Sequence, residues 1–454
     1  MKPITLAQAA EFTGGAVVGD ASAVIRGIST DSRTIPAQGM YLPIIGERFD
    51  GHDFIASAVQ NGAAAVVSDR DVDCGVPVLR VEDTRCALLA LAGGYRSLFD
   101  IPVVGVTGSV GKTTTKEMIA SVLSQKLETL YTQGNLNNEI GMPLTVFRME
   151  ESTQAAVLEM GMNHFGEISR MTVQAQPTIG VITNIGTSHI EYLGSREGIC
   201  KAKLELLEGL REGGTAVLCG DEPLLWDKRD ALGVNTVYFG IDNPQAQIMA
   251  SNLVLSDEKV TFTVHAFDQT FDAVVYAAGR HNVLNALAAT AVGLLCGLST
   301  EEIAAGLAAF RSVGMRQRIY QEDGFTIFAD CYNASPDSVE ASLAVLRDLK
   351  VEGRRIAVLG GMRELGDYTH EGHMRCGRCA AQCADAMYLY GDGAESYREG
   401  AIEGGMDAQC IHIFDSHEAL AAALKADTKQ GDALLFKGSR YWAMEKSLEA
   451  FLKK

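Results

Sequence analysis

Residues 101–118 read Ile-Pro-Val-Val-Gly-Val-Thr-Gly-Ser-Val-Gly-Lys-Thr-Thr-Thr-Lys-Glu-Met, a short apolar run joined to a helical pattern by a glycine-rich turn. Such a turn is built to hold a triphosphate. Backbone N–H groups from Thr107, Gly108, Ser109 and Gly111 can surround the phosphates at a helix N-terminus, and Lys112 can reach the terminal phosphate. A hydroxyl from Thr113 or Thr114 can then hold Mg²⁺. An ordinary glycine turn is the competing reading, but strand, turn and helix stand in the order that phosphate binding requires. One position departs from the usual spacing: Val106 stands where the first glycine is expected, with Gly105 one place earlier.

Three further side chains bear on that cradle. Glu159 closes the apolar run Ala156-Val-Leu-Glu159, so it belongs at the C-terminal edge of a parallel sheet, where such folds bind ligands. A carboxylate there can hold Mg²⁺. His189, six residues past the strand end at Thr183, is either a second ligand or a satisfied surface histidine. Lys203 falls with Ile199, Leu206, Leu207 and Leu210 at i, i+4, i+7, i+8 and i+11, on the apolar face of a helix. Burial lowers a lysine's pKa, and a neutral amine can capture CO₂ as a carbamate that binds Mg²⁺; the alternative is a lysine that snorkels to solvent. A fourth cluster, His370, His373, Cys376, Cys379 and Cys383, recurs at helical steps. One helix face cannot wrap four ligands around a tetrahedral ion, so reduced cysteines on a packed helix are expected.

These residues need elements to position them. With 454 residues and 47 % hydrophobic content, the chain can bury several cores. Residues 1–98 mix short strands and helices, with a turn-rich stretch at Gly46–Asp53, and are expected to form a small N-terminal α/β domain. Residues 99–313 alternate apolar strands (Ala156–Glu159, Ile179–Thr183, Ala216–Leu218) with helical patterns, which predicts a central parallel-sheet P-loop domain. Residues 314–454 repeat the alternation with strands at Phe325–Ala329, Ile356–Leu359, Ala386–Leu389, Ile411–Phe414 and Ala433–Phe436, which predicts a C-terminal Rossmann-like domain. Ser335-Pro-Asp337 should open one of its helices.

Composition narrows the partners. The 39 Lys+Arg against 57 Asp+Glu give a net charge of −18, which argues against nucleic acid or an anionic membrane surface. Small molecules remain. The opening Met1-Lys-Pro-Ile-Thr-Leu-Ala-Gln is too polar for a secretory leader, and the uncharged stretch from His281 to Thr300 carries Asn282, Asn285 and many alanines, as a buried core helix would. Ten cysteines without paired spacing suit a reducing compartment, so a cytoplasmic location is expected. A monomer is expected as well.

The variant cradle Thr107-Gly-Ser-Val-Gly-Lys-Thr113 resembles that of the Mur ligase and folylpolyglutamate synthetase superfamily. Ser29-Thr-Asp-Ser-Arg33 and Gly46–Phe54 look like the uridine-nucleotide segment of the Mur ligases. Gly134-Asn-Leu-Asn-Asn-Glu-Ile-Gly-Met-Pro143, Leu158-Glu-Met-Gly161, Gly279-Arg-His-Asn-Val-Leu-Asn285, Asp330-Cys-Tyr-Asn-Ala-Ser-Pro-Asp337 and Lys437-Gly-Ser-Arg440 resemble the branch that adds D-alanyl-D-alanine to a UDP-MurNAc-tripeptide. The Asp-Asn-Pro-Arg and Gly-Lys-Gly-His-Glu signatures of the branch that adds the third residue are absent from the sequence.

The resemblance implies ATP and Mg²⁺ at Lys112 and Thr113, metal ligation by Glu159 and His189, and a carbamylated Lys203 within Lys201-Ala-Lys-Leu-Glu205. It implies Asn282 at the adenine, with Arg316 and Asp330 reaching the nucleotide from the C-terminal domain. Ser29, Asp31, Ser32, Arg33, Asn137 and Asn138 would face the uridylyl substrate, and Asn333, Lys437 and Arg440 the incoming dipeptide. Two positions depart: Gly361 stands where the family usually has Asp, and Cys219 where Asn is common. The expected reaction activates the tripeptide carboxylate as an acyl phosphate, which the dipeptide amine displaces. Rival readings are another amino-acid-adding Mur-type or folylpolyglutamate-type ligase, a P-loop kinase or regulatory NTPase, and a binding homologue without turnover. Binding of a UDP-sugar separates the first from folate chemistry, and amide formation separates it from the others.

Overall fold

The computed structural model describes residues 1–312, 314 and 316–453. Val313, the expected end of the central domain, lies outside the described residues. The chain is α/β throughout and builds three main sheets of five, nine and six strands in chain order.

The nine-stranded sheet carries the cradle. From its Thr129–Tyr131 edge it runs through Ala155–Glu159, Val103–Thr107, Ile179–Ile182, Thr215–Cys219, Asn235–Gly240 and Ile248–Leu255, all parallel. The strands Val103–Thr107, Ala155–Glu159 and Ile179–Ile182 are buried at every residue, as a sheet covered by helices on both faces requires. Beyond Ile248–Leu255 the sheet continues antiparallel through Val260–Ala266 and Gln269–Val275. In Val260–Ala266, Val260, Phe262, Val264 and Ala266 are buried and alternate with more exposed residues, because only one face of this extension meets a helix. The expected core helix forms at His281–Leu295 and packs on the cradle helix Lys112–Leu123. Among the described residues no helix is long and apolar enough to cross a membrane.

In the C-terminal sheet the order is Arg318–Glu322, Phe325–Asp330, Ala433–Lys437, Arg355–Gly360, Ala386–Tyr390, Ile411–Phe414. The five expected strands are parallel, and Arg318–Glu322 adds an antiparallel edge. Pro336 opens the helix Pro336–Asp348 beneath a Ser335 capping box. Separate apolar clusters cover the two faces of this sheet.

The first two units share a core. One apolar cluster runs from Ile4 to Phe310, and the helix Thr84–Arg96 packs on helices Gly141–Val146 and Glu167–Ala175 of the nine-stranded unit. Arg96 is 1 % exposed and donates to the carbonyls of Phe99 at 2.6 Å and Ala175 at 3.0 Å. The connection at residues 97–101 is therefore clamped to the sheet rather than left as a swivel.

Candidate active site

The cradle forms as the sequence pattern demands. Gly108 sits at φ 152°, and a Cβ there would stand 1.8 Å from Thr183 Oγ1. Only glycine lets the loop pass so close to the neighbouring strand end. Gly111, at φ 83°, caps the helix that starts with Lys112. The loop is tied to that strand end by Thr183 Oγ1 donating to Val110 O at 2.7 Å, and by the Val110 N–H donating to Asn184 Oδ1 at 2.9 Å.

Around the loop lies a cleft of ≈ 410 Å³, walled by the nine-stranded unit on one side and by Arg316, Gln317, Asp330, Tyr332, Asn333 and Lys437 on the other. Ser109, Gly111, Lys112, Thr113, Thr114, Asn137, Asn138, Glu159 and His189 all line it. Lys112 Nζ folds back on the Gly108 carbonyl at 2.7 Å. Burial, then the nearby Arg316, pushes its pKa down against the pull of Glu159.

Glu159 is 2 % exposed. Its Oε1 accepts from Asn137 Nδ2 at 2.8 Å and Thr113 Oγ1 at 3.1 Å, whereas Oε2 is buried with no hydrogen-bond partner among the described residues. An orphaned carboxylate oxygen beside a threonine hydroxyl is what a hard, oxygen-seeking cation needs. These residues fit Mg²⁺. His189 adopts φ 63° and its Nδ1 stands 2.5 Å from Glu364 Oε2.

Lys203 lies in the helix Arg196–Leu204, 1 % exposed among buried Ile199, Cys200 and Ala202. It does not snorkel. Burial, reinforced by the charge of Lys112, holds its pKa well below that of an ordinary lysine. Lys201, two residues earlier, is exposed, with Nζ 5.8 Å from the centre of the Phe165 ring.

The C-terminal wall is anchored by a buried ion pair. Asp330 Oδ2 accepts from Lys437 Nζ at 2.6 Å and from Ser342 Oγ at 2.7 Å. Burial alone would raise the Asp330 pKa, but Lys437 and these hydrogen bonds outweigh it and hold the carboxyl below its usual value. The Arg316 guanidinium stacks on Tyr332, 3.7 Å from the ring centre.

Other expected residues lie elsewhere. Asn282 is fully buried, and its amide donates to Ala278 O at 2.8 Å and Gln317 Oε1 at 3.2 Å; His281, Leu284 and Asn285 line the cleft beside it. Ser29, Asp31, Ser32 and Arg33 form a loop of the N-terminal sheet outside this cleft, where Arg33 grips Asp31 with bonds of 2.8 and 2.9 Å. Arg440 borders a second cavity of ≈ 610 Å³, shared by His189, Asn333 and Arg363. Gln317, Tyr332, Thr183 and Asn184 also line the cleft and are not among the residues expected from the sequence. Gln317 and Tyr332 adjoin expected residues, but Thr183 and Asn184 carry no local pattern that marks them.

The departures and the cysteine cluster have physical accounts. A Cβ on Gly361 would stand 2.2 Å from the Asp392 carbonyl, so an aspartate has no room there. The Cys219 thiol is buried and pushed up to about 12, so it stays neutral. His373 Nδ1 meets Thr369 O at 2.6 Å, its Nε2 accepts the Met362 N–H at 3.0 Å, and Cys376 is fully buried in the core. The helix face is spent on packing.

Fold and cleft together define a P-loop nucleotide-binding protein in which a C-terminal α/β domain closes over the phosphate site. Three family models match: "Mur ligase family, catalytic domain" over residues 24–96, "Mur ligase middle domain" over 106–293 and "Mur ligase, glutamate ligase domain" over 315–440. The chain belongs to the Mur ligase family. It is 40 % identical to the UDP-N-acetylmuramoyl-tripeptide–D-alanyl-D-alanine ligase of Bacillus subtilis over 93 % of this chain and 92 % of that one. A crystal structure of MurF from Acinetobacter baumannii superposes with a TM-score of 0.93 at 32 % identity, covering 100 % of both chains. MurF ligase from Thermotoga maritima in complex with ADP gives 0.84 at 30 %, covering 94 % of this chain and 97 % of that one.

Proposed function

We propose that this chain is an ATP-dependent ligase that joins D-alanyl-D-alanine to UDP-MurNAc-tripeptide, giving the pentapeptide precursor of peptidoglycan. The observation that carries it is the cleft: a phosphate loop and an orphaned carboxylate oxygen on one wall, with a C-terminal domain bringing Arg316 and Asn333 to the other. The near full-length similarity to ligases of that name supports the choice of substrates.

The chemistry follows from an obstacle. An amine cannot usefully displace oxide from a carboxylate, so the tripeptide's terminal carboxylate first attacks the γ-phosphorus of ATP, releasing ADP and forming an acyl phosphate. The dipeptide amine, having lost its proton, then adds to the acyl carbon. Collapse of the tetrahedral intermediate expels phosphate. Lys112 and the loop N–H groups from Thr107 to Thr114 hold the transferring phosphoryl group. Thr113, Glu159, His189 and a carbamylated Lys203 are the residues that would hold Mg²⁺, which when bound supplies positive charge to the phosphates. Asn282 and its neighbours His281 and Asn285 bound the base, while Arg316 and Asp330 act from the C-terminal side. Ser29, Asp31, Ser32, Arg33, Asn137 and Asn138 serve the UDP-substrate, and Asn333, Lys437 and Arg440 the dipeptide. Holding amine and acyl phosphate in line can supply about 7–11 kcal/mol of the barrier.

We divide the chain at residues 1–98, 99–313 and 314–454 into UDP-substrate, ATP and dipeptide-side domains, working as a monomer in the cytoplasm. The test is an omission assay. Phosphate release should require ATP, UDP-MurNAc-tripeptide and D-alanyl-D-alanine together, and the new species should be the tripeptide plus dipeptide less one water by mass. Equal turnover with glutamate or free D-alanine would overturn the branch, and phosphate release without an amide would favour a plain NTPase.

A further inference from the structure

The stretch from Thr183 to Glu191 follows the strand Ile179–Ile182 and touches both halves of the cleft within nine residues. Its first part grips the phosphate loop. Beyond the Thr183 and Asn184 bonds already described, Ser109 N–H donates to Asn184 O at 3.1 Å and Ser188 Oγ donates to Ser109 O at 3.3 Å. Its second part grips the C-terminal domain. The Thr187 N–H and the Thr187 hydroxyl both donate to one oxygen, Asp337 Oδ2, at 2.7 and 2.8 Å.

Asp337 stands in the first turn of the helix Pro336–Asp348, and its other oxygen accepts from Arg375 at 3.2 Å, so its direction is fixed from behind. Two residues on, His189 meets Glu364 Oε2, and the Glu191 N–H donates to Glu364 O at 3.3 Å. His189 and Glu364 both hold φ 63°, a conformation non-glycine residues adopt only where the surroundings impose it. Between the two grips stands Gly186. A Cβ there would lie 2.3 Å from Asp337 Oδ2 and 3.2 Å from the Ser109 side chain, so only a glycine lets the loop and the C-terminal carboxylate both approach this backbone so closely.

We propose that residues 183–191 form a relay that links the state of the phosphate loop to docking of the C-terminal domain, with Asp337 as the positioning residue that receives it through Thr187. Asp337 does not line the phosphate cleft and touches no reacting atom. It acts by setting where Asn333 and Ser335, on the same loop and helix start, stand over the phosphate loop. A nucleotide that settles the loop around Ser109 and Val110 thereby settles Thr187, and the domain that carries the second substrate docks. The proposal rests on the ligase reading only for the identity of that substrate.

The test pairs a conformational readout with kinetics. In the parent enzyme, Mg²⁺ with the β,γ-methylene analogue of ATP should reduce the radius of gyration in solution scattering. Asp337→Ala should lose that compaction even at saturating analogue and should bind the analogue about 5- to 150-fold more weakly, the affinity that docking otherwise returns to the loop. The milder Thr187→Val keeps shape and backbone but removes the hydroxyl bond, and it should lower kcat about 10- to 100-fold and raise KM for the dipeptide, the scale of loss that a misplacement of up to about 1 Å produces. Thr187→Ser keeps the hydroxyl and should restore most of both. Parent-like compaction in Asp337→Ala, or parent-like kcat in Thr187→Val, overturns the relay. So does a Thr187→Ser enzyme no better than Thr187→Val. Compaction that follows this pattern in an enzyme that makes no amide would uphold the relay and overturn the ligase reading.

Discussion

Replacing Lys203 by alanine is expected to lower turnover by about 10²- to 10³-fold, the loss typical of removing one group that stabilises transition-state charge. The structure gives the reason. Lys203 is almost fully buried, its neighbours on the helix are apolar, and Lys112 adds like-charge repulsion to the cost of desolvation. A plain ammonium is a costly occupant of that place. A neutral amine that takes up CO₂ reverses the sign and becomes an anionic oxygen donor. Lys203→Arg should therefore fail as badly as Lys203→Ala, because a guanidinium forms no stable carbamate, and a small carboxylate such as acetate or formate should partly restore the alanine enzyme. Lys201→Ala, on the exposed face, should be nearly silent. An arginine enzyme as active as the parent would mean that Lys203 serves only as a positive charge. Kinetics decide this better than mass analysis, since carbamates decompose on acidification.

The second large effect is expected at Lys112. Among the described residues its ammonium donates to loop carbonyls alone, Gly108 O at 2.7 Å and Ser109 O at 3.5 Å, so it is held ready for phosphate rather than for the fold. Lys112→Ala should cut turnover by at least about 10²- to 10³-fold. Calorimetric titration with UDP-MurNAc-tripeptide should give a Kd close to that of the parent, because the Ser29–Arg33 loop is held by its own bonds in a different sheet. The continuous core between the N-terminal and central units makes this a demanding test. Loss of UDP-substrate binding in a variant with an unchanged melting temperature would place Lys112 in that site as well.

The parts of this molecule that the sequence discloses are those where chemistry and local structure coincide. The strand-turn-helix around Lys112 is legible because a phosphate cradle needs glycines at fixed offsets, and five C-terminal strands are legible because buried parallel strands read as unbroken apolar runs. The helical spacing of Lys203 leaves burial and snorkelling both open, because it fixes the face and not where the ammonium ends; the structure buries it. The antiparallel extension Val260–Ala266 and Gln269–Val275 was missed because half-buried alternating strands lie between helices that dominate the pattern. Asn282 illustrates another limit: the resemblance implies that it contacts the adenine, but its amide donates to Ala278 O four residues back and to Gln317 in the C-terminal unit, and the second of these partners is a tertiary choice. The bonds between Thr187 and Asp337 join residues 150 apart, a distance over which no sequence periodicity speaks.

The most direct measurement of the central claim follows oxygen. UDP-MurNAc-tripeptide labelled with ¹⁸O in both oxygens of its terminal carboxylate is turned over with ATP and D-alanyl-D-alanine, and the products are weighed. If the carboxylate attacks ATP and the amine then displaces phosphate, one ¹⁸O must leave in the released phosphate and the other must remain in the new amide. Unlabelled phosphate, with both ¹⁸O atoms still on the recovered nucleotide-peptide, would contradict the acyl-phosphate route and with it the assignment of this cleft to amide ligation.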